Sequence, residues 1–226
     1  MPYEVVIFDL DFTLFDSELS ERQALSATFA KFNINVTDEI LRIYRDFNSQ
    51  LWMEFEKKKI ELADLRTERF QRLCEEFDFD LNASGLADIY EKNLGNYGGL
   101  YDGAEELLKT AKNESKVALI TNGLESVQKA RLSNYELEKF FDAILISGEC
   151  GLSKPDSLIF QQCLDLLGHK DRSSVIMIGD SLSSDIRGAN NFGIDSCWFN
   201  PHGQDMDPTC YPTFTAESLA DITFLL

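Results

Sequence analysis

Hydrophobic and polar residues follow three different patterns along the chain. Residues 4–8 are predicted to form a strand, because Val5–Phe8 is a continuous apolar run that is too short for a helix and typical of a strand buried on both faces. From Ser17 to about Lys92, apolar residues recur every three or four positions among charged ones, which predicts four helices and no strand. From Asp102 onward, short apolar runs alternate with helical patterns. The sequence therefore predicts an α/β protein with a helical segment inserted after its first strand.

The boundaries of these elements follow from the same patterns. In the insertion, the predicted helices cover about 17–31, 37–55, 63–77 and 83–93. In the second part, predicted helices cover about 104–112, 124–134, 155–167, 184–191 and 216–225, and predicted strands cover 116–120, 143–147, 175–178 and 196–199. Strands separated by single helices imply right-handed crossovers and a parallel sheet. We therefore assign residues 1–16 and 96–226 to an α/β core domain and residues 17–95 to a helical domain.

Polar residues follow every one of the first four predicted strands. Two carboxylates come directly after the first strand, and a hydroxyl and an amide follow the second. A lysine lies in the loop after the third strand, and further carboxylates follow the fourth. These residues are Asp9 and Asp11, Thr121 and Asn122, Lys154, and Asp180 with Asp185. Because ligands bind beyond the carboxyl ends of the strands of a parallel sheet, we expect these side chains to share one site.

Composition and charge restrict the partners of such a site. The chain carries a formal net charge of -18, which repels polyanions, and no basic stripe offers a surface to a nucleic-acid polymer. The sequence has no long apolar run and no secretory leader, so we expect a cytoplasmic protein without a membrane partner. Five scattered cysteines and two histidines argue against a zinc site or a disulfide framework. The choice between a monomer and a small homo-oligomer stays open.

The residue types at the strand ends indicate phosphate chemistry. Asp9, Asp180 and Asp185 offer hard oxygen ligands, which suit Mg²⁺ better than zinc. Thr121 and Asn122 are candidate phosphate-binding residues, because with the Gly123 backbone they open a predicted helix whose free N–H groups favour an anion. Lys154 is a third candidate, since it supplies a cation for a phosphoryl oxygen. Asp9 fits the part of a nucleophile, and Asp11 can protonate the leaving oxygen and later deprotonate water. The expected partner is a small phosphorylated metabolite.

Four stretches of the chain carry a resemblance to a known family. They are Asp9-Leu10-Asp11-Phe12-Thr13, Ile120-Thr121-Asn122-Gly123, Lys154-Pro155-Asp156, and Gly179-Asp180-Ser181 with Asp185. In order and spacing they resemble the motifs of the haloacid dehalogenase-like (HAD) hydrolase superfamily. The resemblance implies a Rossmann-like core with an inserted, mobile four-helix cap, and a turn and hairpin flap after Asp11.

The same resemblance implies a role for each matching residue. Asp9 would be the nucleophile and a Mg²⁺ ligand, and Asp11 the general acid and base that also offers its backbone carbonyl to the metal. Thr121 and Lys154 would bind the phosphoryl group. Asp180 would bind the metal, and Asp185 would bind it through water. A second interpretation of Asp185, as a helix-capping residue, also fits its position after two serines.

Within the superfamily, the chain is most similar to the bacterial pyrimidine 5'-nucleotidases. The similarity is diffuse and includes Leu51-Trp52, Arg69-Phe70 and the segment 197–202. In the helical domain, Trp52, Phe55 and Arg69 are therefore candidate substrate contacts, since aromatic faces stack on nucleobases. The alternative is that these aromatic residues simply form the core of the domain.

Three functions agree with the sequence. The first is a Mg²⁺-dependent phosphomonoester hydrolase with an aspartyl-phosphate intermediate, acting on pyrimidine nucleoside monophosphates. The second is a sugar-phosphate or phosphoglycolate phosphatase, or a phosphomutase, with the same core residues. The third is an aspartate phosphoacceptor module without turnover, which the length of the chain disfavours. A dehalogenase needs no acid at the position of Asp11, because it releases no alkoxide.

Overall fold

The computed structural model describes residues 3–226, and within them six parallel strands form one sheet. The strands are β1 (Val5–Phe8), β2 (Lys116–Thr121), β3 (Ala143–Ile146), β4 (Val175–Gly179), β5 (Asp195–Phe199) and β6 (Phe214–Ala216). Their order is β3-β2-β1-β4-β5-β6, with every neighbouring pair parallel. Strand β1 thus lies between β2 and β4, and the carboxyl ends of all three meet at one edge. The predicted α/β class and parallel sheet are confirmed.

Helices cover both faces of this sheet. They are α5 (Ala104–Glu114), α6 (Glu125–Asn134), α7 (Ser147–Cys150), α8 (Ser157–Leu167), α9 (Arg187–Phe192) and α10 (Leu219–Leu225). In β1, Val6 and Phe8 pack in a cluster with residues of α5 and α10, whereas Val5 and Ile7 pack with residues of α8 and α9. All four side chains are fully buried. Burial on both faces explains why this strand is apolar throughout and does not alternate.

Four helices form the inserted segment: α1 (Ser17–Ala30), α2 (Asp38–Glu56), α3 (Leu62–Glu76) and α4 (Ala83–Asn96). Helix α2 begins where predicted, because the Thr37 hydroxyl accepts a hydrogen bond from the Ile40 N–H. Tyr44, Phe70 and Tyr90 form the buried aromatic core of this bundle, with ring centroids 5.2 to 5.8 Å apart. No helix in the described part of the chain is both long and apolar enough to cross a membrane.

The chain divides into two compact units, which we call the α/β unit and the helical unit. The α/β unit contains residues up to Asp16, Leu100–Glu125 and Leu132–Leu226, and the helical unit contains Ser17–Gly99 and Ser126–Arg131. The helical unit thus includes half of α6, which the sequence assigned to the core domain. In this unit the buried Arg131 donates to the Leu94 carbonyl at 3.3 Å and to the Ser20 hydroxyl at 3.1 Å.

The C-terminal segment differs from its predicted helix at about 216–225. Residues Phe214–Ala216 instead form β6, and α10 begins only at Leu219. A capping box fixes this start: the Ser218 hydroxyl accepts from the Asp221 N–H, and the Asp221 carboxylate accepts from the Ser218 N–H. A three-residue edge strand with two exposed positions carries too little apolar pattern to be recognised in the sequence.

Two loops at the carboxyl ends of the strands also differ from expectation. Helix α8 begins at Ser157 and not at Pro155, because Asp156 is its N-cap and accepts from the Leu158 N–H at 3.1 Å. After Asp11 the chain forms a tight turn in which the N–H groups of Leu14 and Phe15 both donate to the Leu10 carbonyl, at 3.0 and 2.9 Å. Within the described residues the expected turn is present, but the hairpin flap is not, since Asp11 and Phe15 form only an isolated bridge.

Candidate active site

Asp9 follows the central strand of the sheet directly. Its backbone N–H donates to the Ile178 carbonyl of β4 at 2.9 Å, which extends the strand ladder by one residue and fixes the position of the side chain. The residue is 6% exposed, so its carboxylate lies in a buried site. Asp11 lies two residues further, half-buried, in a turn where Phe12 has a positive φ of 59°. The two acids therefore have different surroundings, one in the interior and one at its margin.

Lys154 contacts both sides of this buried site although it lies in a loop. Its Nζ is 2.5 Å from Asp9 Oδ1 and 2.7 Å from Asp185 Oδ1, and it donates to the Ile120 carbonyl at 2.7 Å. The residue is only 1% exposed. A buried ammonium needs anionic partners to offset its desolvation, and two carboxylates and a carbonyl supply them here.

Asp180 follows strand β4 and is held by two side chains. Its backbone N–H donates to the Thr13 hydroxyl at 3.1 Å, and its carbonyl accepts from the Trp198 indole N–H at 2.8 Å. Thr13 is fully buried and Trp198 is 2% exposed. The loop that carries Asp180 is therefore fixed between the turn after β1 and the neighbouring strand β5.

Asp185 lies in a π-helical turn, Leu182–Ile186, that leads into α9. Its Oδ2 accepts from the Ser181 N–H at 3.0 Å, while the Ser181 hydroxyl accepts from the Ser184 N–H at 3.2 Å. The helix N-cap is thus Ser181, and Asp185 completes the cap from inside the first turn. Because the other oxygen of Asp185 contacts Lys154, the capping interpretation and the active-site interpretation both describe part of what this residue does.

Negative charge is crowded where these residues meet. Ligand oxygens of Asp9, Asp180 and Asp185 all lie within 4.8 Å of one another. The pKa of Asp9 is raised to about 7, chiefly by burial and also by the Asp185 and Asp11 carboxylates, against the lowering effect of Lys154. Burial, together with the Asp185 and Asp9 carboxylates, also holds the pKa of Asp180 well above its ordinary value. Burial lowers the pKa of Lys154, but Asp185 and Asp9 outweigh it, so that this ammonium keeps its proton.

This donor set fits a divalent cation. Three carboxylates and one ammonium leave two negative charges in a buried space, which a doubly charged ion with oxygen ligands would compensate. Such an ion would also lower the raised pKa values of Asp9 and Asp180. The Asp11 carboxylate is outside the three-residue cluster.

The loop after β2 uses its backbone differently from the sequence prediction. Thr121 is fully buried as the last residue of β2, the strand that pairs with β1. The Gly123 N–H, expected to be free for an anion, donates to the Ser147 hydroxyl at 2.9 Å. Helix α6 begins only at Glu125. Ser147 is the first residue after β3, so the ends of β2 and β3 are joined by this hydrogen bond.

Asn122 is turned toward Lys154. Its Nδ2 donates to the Lys154 carbonyl at 2.9 Å, and its Oδ1 accepts from the Lys154 N–H at 3.0 Å. The amide that the sequence suggested as a phosphate ligand is therefore committed to a neighbouring main chain.

The three candidate substrate contacts of the helical unit have unequal surroundings. Trp52 and Phe55 are partly exposed and contact each other edge to face, with ring centroids 5.6 Å apart. Arg69 is 2% exposed, and its guanidinium lies 4.9 Å from the Tyr90 ring centroid and 5.5 Å from that of Phe70. It also donates to Asn48 Oδ1 at 3.4 Å. Arg69 thus packs in the core of the bundle, and its part as a substrate contact stays a prediction.

Comparison with known proteins agrees with the geometry. The family model described as haloacid dehalogenase-like hydrolase matches residues 6–199. The chain is 32% identical to the pyrimidine 5'-nucleotidase PynA of Streptococcus pneumoniae, over 98% of this chain and 94% of that protein. It is 31% identical to the pyrimidine 5'-nucleotidase YjjG of Escherichia coli, over 100% of this chain and 99% of that protein.

A solved structure extends this comparison to the fold. The crystal structure of the HAD-hydrolase YfnB from Bacillus subtilis bound to magnesium superposes with a TM-score of 0.93 at 29% identity, covering 100% of this chain and 99% of that one. The chain belongs to the haloacid dehalogenase-like hydrolases. With relatives that are nucleotidases over their whole length, it is a phosphoric monoester hydrolase of that family.

Proposed function

We propose that this protein is a Mg²⁺-dependent 5'-nucleotidase that dephosphorylates pyrimidine nucleoside monophosphates through an aspartyl-phosphate on Asp9. The observation that carries the proposal is the buried Asp9 carboxylate, held by Lys154 inside a cluster of three carboxylates. A carboxylate attacks a phosphate dianion only where nearby positive charge offsets the repulsion between them. Lys154 supplies one such charge, and the carboxylates of Asp9, Asp180 and Asp185 are suited to hold a divalent cation as the second.

In the first half-reaction, an Asp9 oxygen forms a bond to phosphorus while the bond from phosphorus to the ester oxygen breaks. Asp11 gives its proton to the departing oxygen, so that the nucleoside leaves as an alcohol. Lys154 and the Thr121 hydroxyl hold the phosphoryl oxygens. In the second half-reaction, Asp11 takes a proton from water as the water attacks phosphorus, and Asp9 is released with inorganic phosphate.

The metal would be held by Asp9 and Asp180, by the backbone carbonyl of Asp11, and by Asp185 through water. When bound, it supplies charge stabilisation to the transferring phosphoryl group. The solved relative YfnB was crystallised with magnesium, which supports this choice of ion.

The pyrimidine preference rests on the two nucleotidase relatives and on the partly exposed pair Trp52 and Phe55, whose rings are suited to stacking on a base. The interdomain movement named for YfnB supports a mobile cap here as well. We propose that the enzyme is cytoplasmic. Its substrate would be a small phosphorylated molecule, because a net charge of -18 disfavours polymeric nucleic acids.

A phosphate-release screen with Mg²⁺ over nucleoside monophosphates, sugar phosphates and phosphoglycolate tests the proposal. We expect kcat/KM to be highest for a pyrimidine nucleoside monophosphate, and EDTA to abolish turnover. Asp9→Asn, which keeps the shape of the side chain, is the matched inactive control.

The other functions predict different results in the same screen. A higher kcat/KM for a sugar phosphate or phosphoglycolate would replace the nucleotidase assignment without affecting the catalytic one. A single turnover with stable phosphoprotein would indicate a phosphoacceptor module. Full activity of Asp9→Asn would refute the nucleophile assignment.

A further inference from the structure

Lys154 has no regular secondary structure of its own. It lies between the last residue of α7, Cys150, and the first residue of α8, Ser157. Its backbone N–H and carbonyl therefore cannot be satisfied by a helix or a strand, and unpaired buried backbone groups are costly. The Asn122 side chain satisfies both, accepting from the N–H at 3.0 Å and donating to the carbonyl at 2.9 Å.

The end of strand β2 holds Lys154 at two points. The Ile120 carbonyl accepts from the Lys154 ammonium at 2.7 Å, and two residues later the Asn122 amide binds the main chain of the same lysine. A lysine side chain loses up to about 2 kcal/mol of conformational freedom when it is fixed, and that loss must be offset by contacts. With both its main chain and its ammonium bound to β2 and the residue after it, the ammonium has one defined position beside Asp9.

We propose that Asn122 is a positioning residue that acts through Lys154 and is not itself a phosphate ligand. The proposal rests on the proposed function, in which Lys154 holds the transferring phosphoryl group. An asparagine is suited to this part because its planar amide carries a donor and an acceptor side by side. The two neighbouring residues at the end of β2 then have different parts. The Thr121 hydroxyl binds the phosphate, and the Asn122 amide binds the main chain of Lys154.

The chain contains a matched control for the contact itself. In α9 the half-buried Asn190 makes the same two-point contact with Tyr211: its Nδ2 donates to the carbonyl and its Oδ1 accepts from the N–H, both at 2.9 Å. Tyr211 is 72% exposed and has no part in the site. Asn190→Ala therefore removes equivalent hydrogen bonds without affecting Lys154.

The experiment is a double-mutant cycle with two readouts: kcat/KM, and the inorganic phosphate concentration that half-maximally raises Tm in the presence of Mg²⁺. We expect Asn122→Ala to lower kcat/KM by about 10- to 100-fold and to weaken phosphate binding. When Asn122→Ala is added to Lys154→Met, phosphate binding should weaken by less than about twofold relative to Lys154→Met alone. The reason is that the ammonium that Asn122 positions is already absent. Asn190→Ala should lower the Tm of the ligand-free protein about as much as Asn122→Ala does. It should leave kcat/KM and the half-maximal phosphate concentration within about threefold of the wild type.

A direct phosphate ligand would give the opposite pattern. Asn122→Ala would then weaken phosphate binding by the same factor with or without Lys154, and that result would overturn the proposal. If Lys154→Met does not fold, Asn122→Asp decides the question. It keeps the acceptor for the Lys154 N–H, so we expect it to bind phosphate at least as well as Asn122→Ala, whereas a carboxylate facing the phosphate would bind it far worse. Failure of the proposed function would appear separately, as turnover retained by Asp9→Asn.

Discussion

Gly179, the last residue of β4, lies directly against the carboxylate of Asp185. A Cβ at this position would overlap the Asp185 side chain, including its carboxylate carbon. The absence of a side chain at Gly179 is what allows Asp185 to reach Lys154 at 2.7 Å.

We therefore predict that Gly179→Ala displaces Asp185 and disturbs Lys154. Activity should fall by about 100-fold or more, since misplacing a catalytic group by about 1 Å has effects of this size. Steady-state kinetics with phosphate release checks the prediction. The control is Gly99→Ala, because a Cβ at Gly99 would have no atom of the described residues within 4 Å apart from its own chain neighbours. An active Gly179→Ala variant would show that Asp185 has no part in the reaction.

The hydrogen bond between Thr13 and Asp180 leads to a second prediction. Thr13→Val keeps the shape of the side chain but removes the hydroxyl that accepts from the Asp180 N–H. The loss of about 1 kcal/mol of hydrogen bonding should weaken Mg²⁺ binding by about 5- to 10-fold. Thr13→Ser, which keeps the hydroxyl, should bind Mg²⁺ nearly as the wild type does.

Trp198 gives a direct readout of that experiment. Its indole N–H donates to the Asp180 carbonyl, and Trp52 is the only other tryptophan in the sequence. In a Trp52→Phe background we expect Mg²⁺ to change the fluorescence of Trp198, with a midpoint that Thr13→Val shifts to higher concentration. An unchanged midpoint would mean that Thr13 does not support the metal ligand.

The crowded carboxylates lead to a third prediction, on stability. The pKa of Asp9 is raised from 3.8 to about 7 in the folded protein, chiefly by burial. The folded state therefore binds the Asp9 proton more tightly than the unfolded state, and the stability of the metal-free protein falls as pH rises through this window. Asp9→Asn removes the charge and should stabilise the metal-free protein by on the order of 2 kcal/mol at pH 8, and by less at pH 5.

Denaturant unfolding in EDTA at the two pH values measures this difference. Mg²⁺ should stabilise the wild type more than Asp9→Asn, since the variant lacks one charged ligand. If Asp9→Asn were destabilised at pH 8 without metal, the ion pair with Lys154 would outweigh the repulsion among the carboxylates.

The burial of Arg69 leads to a fourth prediction, for the helical unit. Arg69→Ala removes a guanidinium that packs on Tyr90 and Phe70, and we expect a cost of about 2 to 4 kcal/mol. Arg42→Ala, which breaks an exposed ion pair with Asp46, should cost less than about 1 kcal/mol. Thermal unfolding together with KM separates the two roles of Arg69. An increase in KM at unchanged Tm would support it as a substrate contact.

Much of the site can be predicted from the sequence, because the topology of the sheet places the strand ends that carry it side by side. A parallel sheet brings the ends of β1, β2 and β4 to one edge, so Asp9, Thr121 and Asp180 are identified as neighbours by their positions after apolar runs. Lys154 is harder to place, since it lies well beyond β3, and its chemistry and motif were what indicated it.

The direction of side chains in loops is what the sequence does not determine. No periodicity applies at Asn122 or Ser147, so neither the contact of Asn122 with Lys154 nor that of Ser147 with Gly123 could be predicted. Arg69 illustrates a different difficulty. A charged residue on a helix is usually solvated, and only the packed structure shows this one inside an aromatic core.

The membership of Ser126–Arg131 in the helical unit has a consequence for protein engineering. A deletion of residues 17–99 would remove Leu94 and Ser20, which accept the hydrogen bonds of the buried Arg131. The truncated chain would lose two acceptors of the buried Arg131 guanidinium on α6, the helix that follows the Thr121 loop. Grafting a foreign cap onto this core, or this cap onto another core, therefore requires Ser126–Arg131 of α6 to be exchanged along with it.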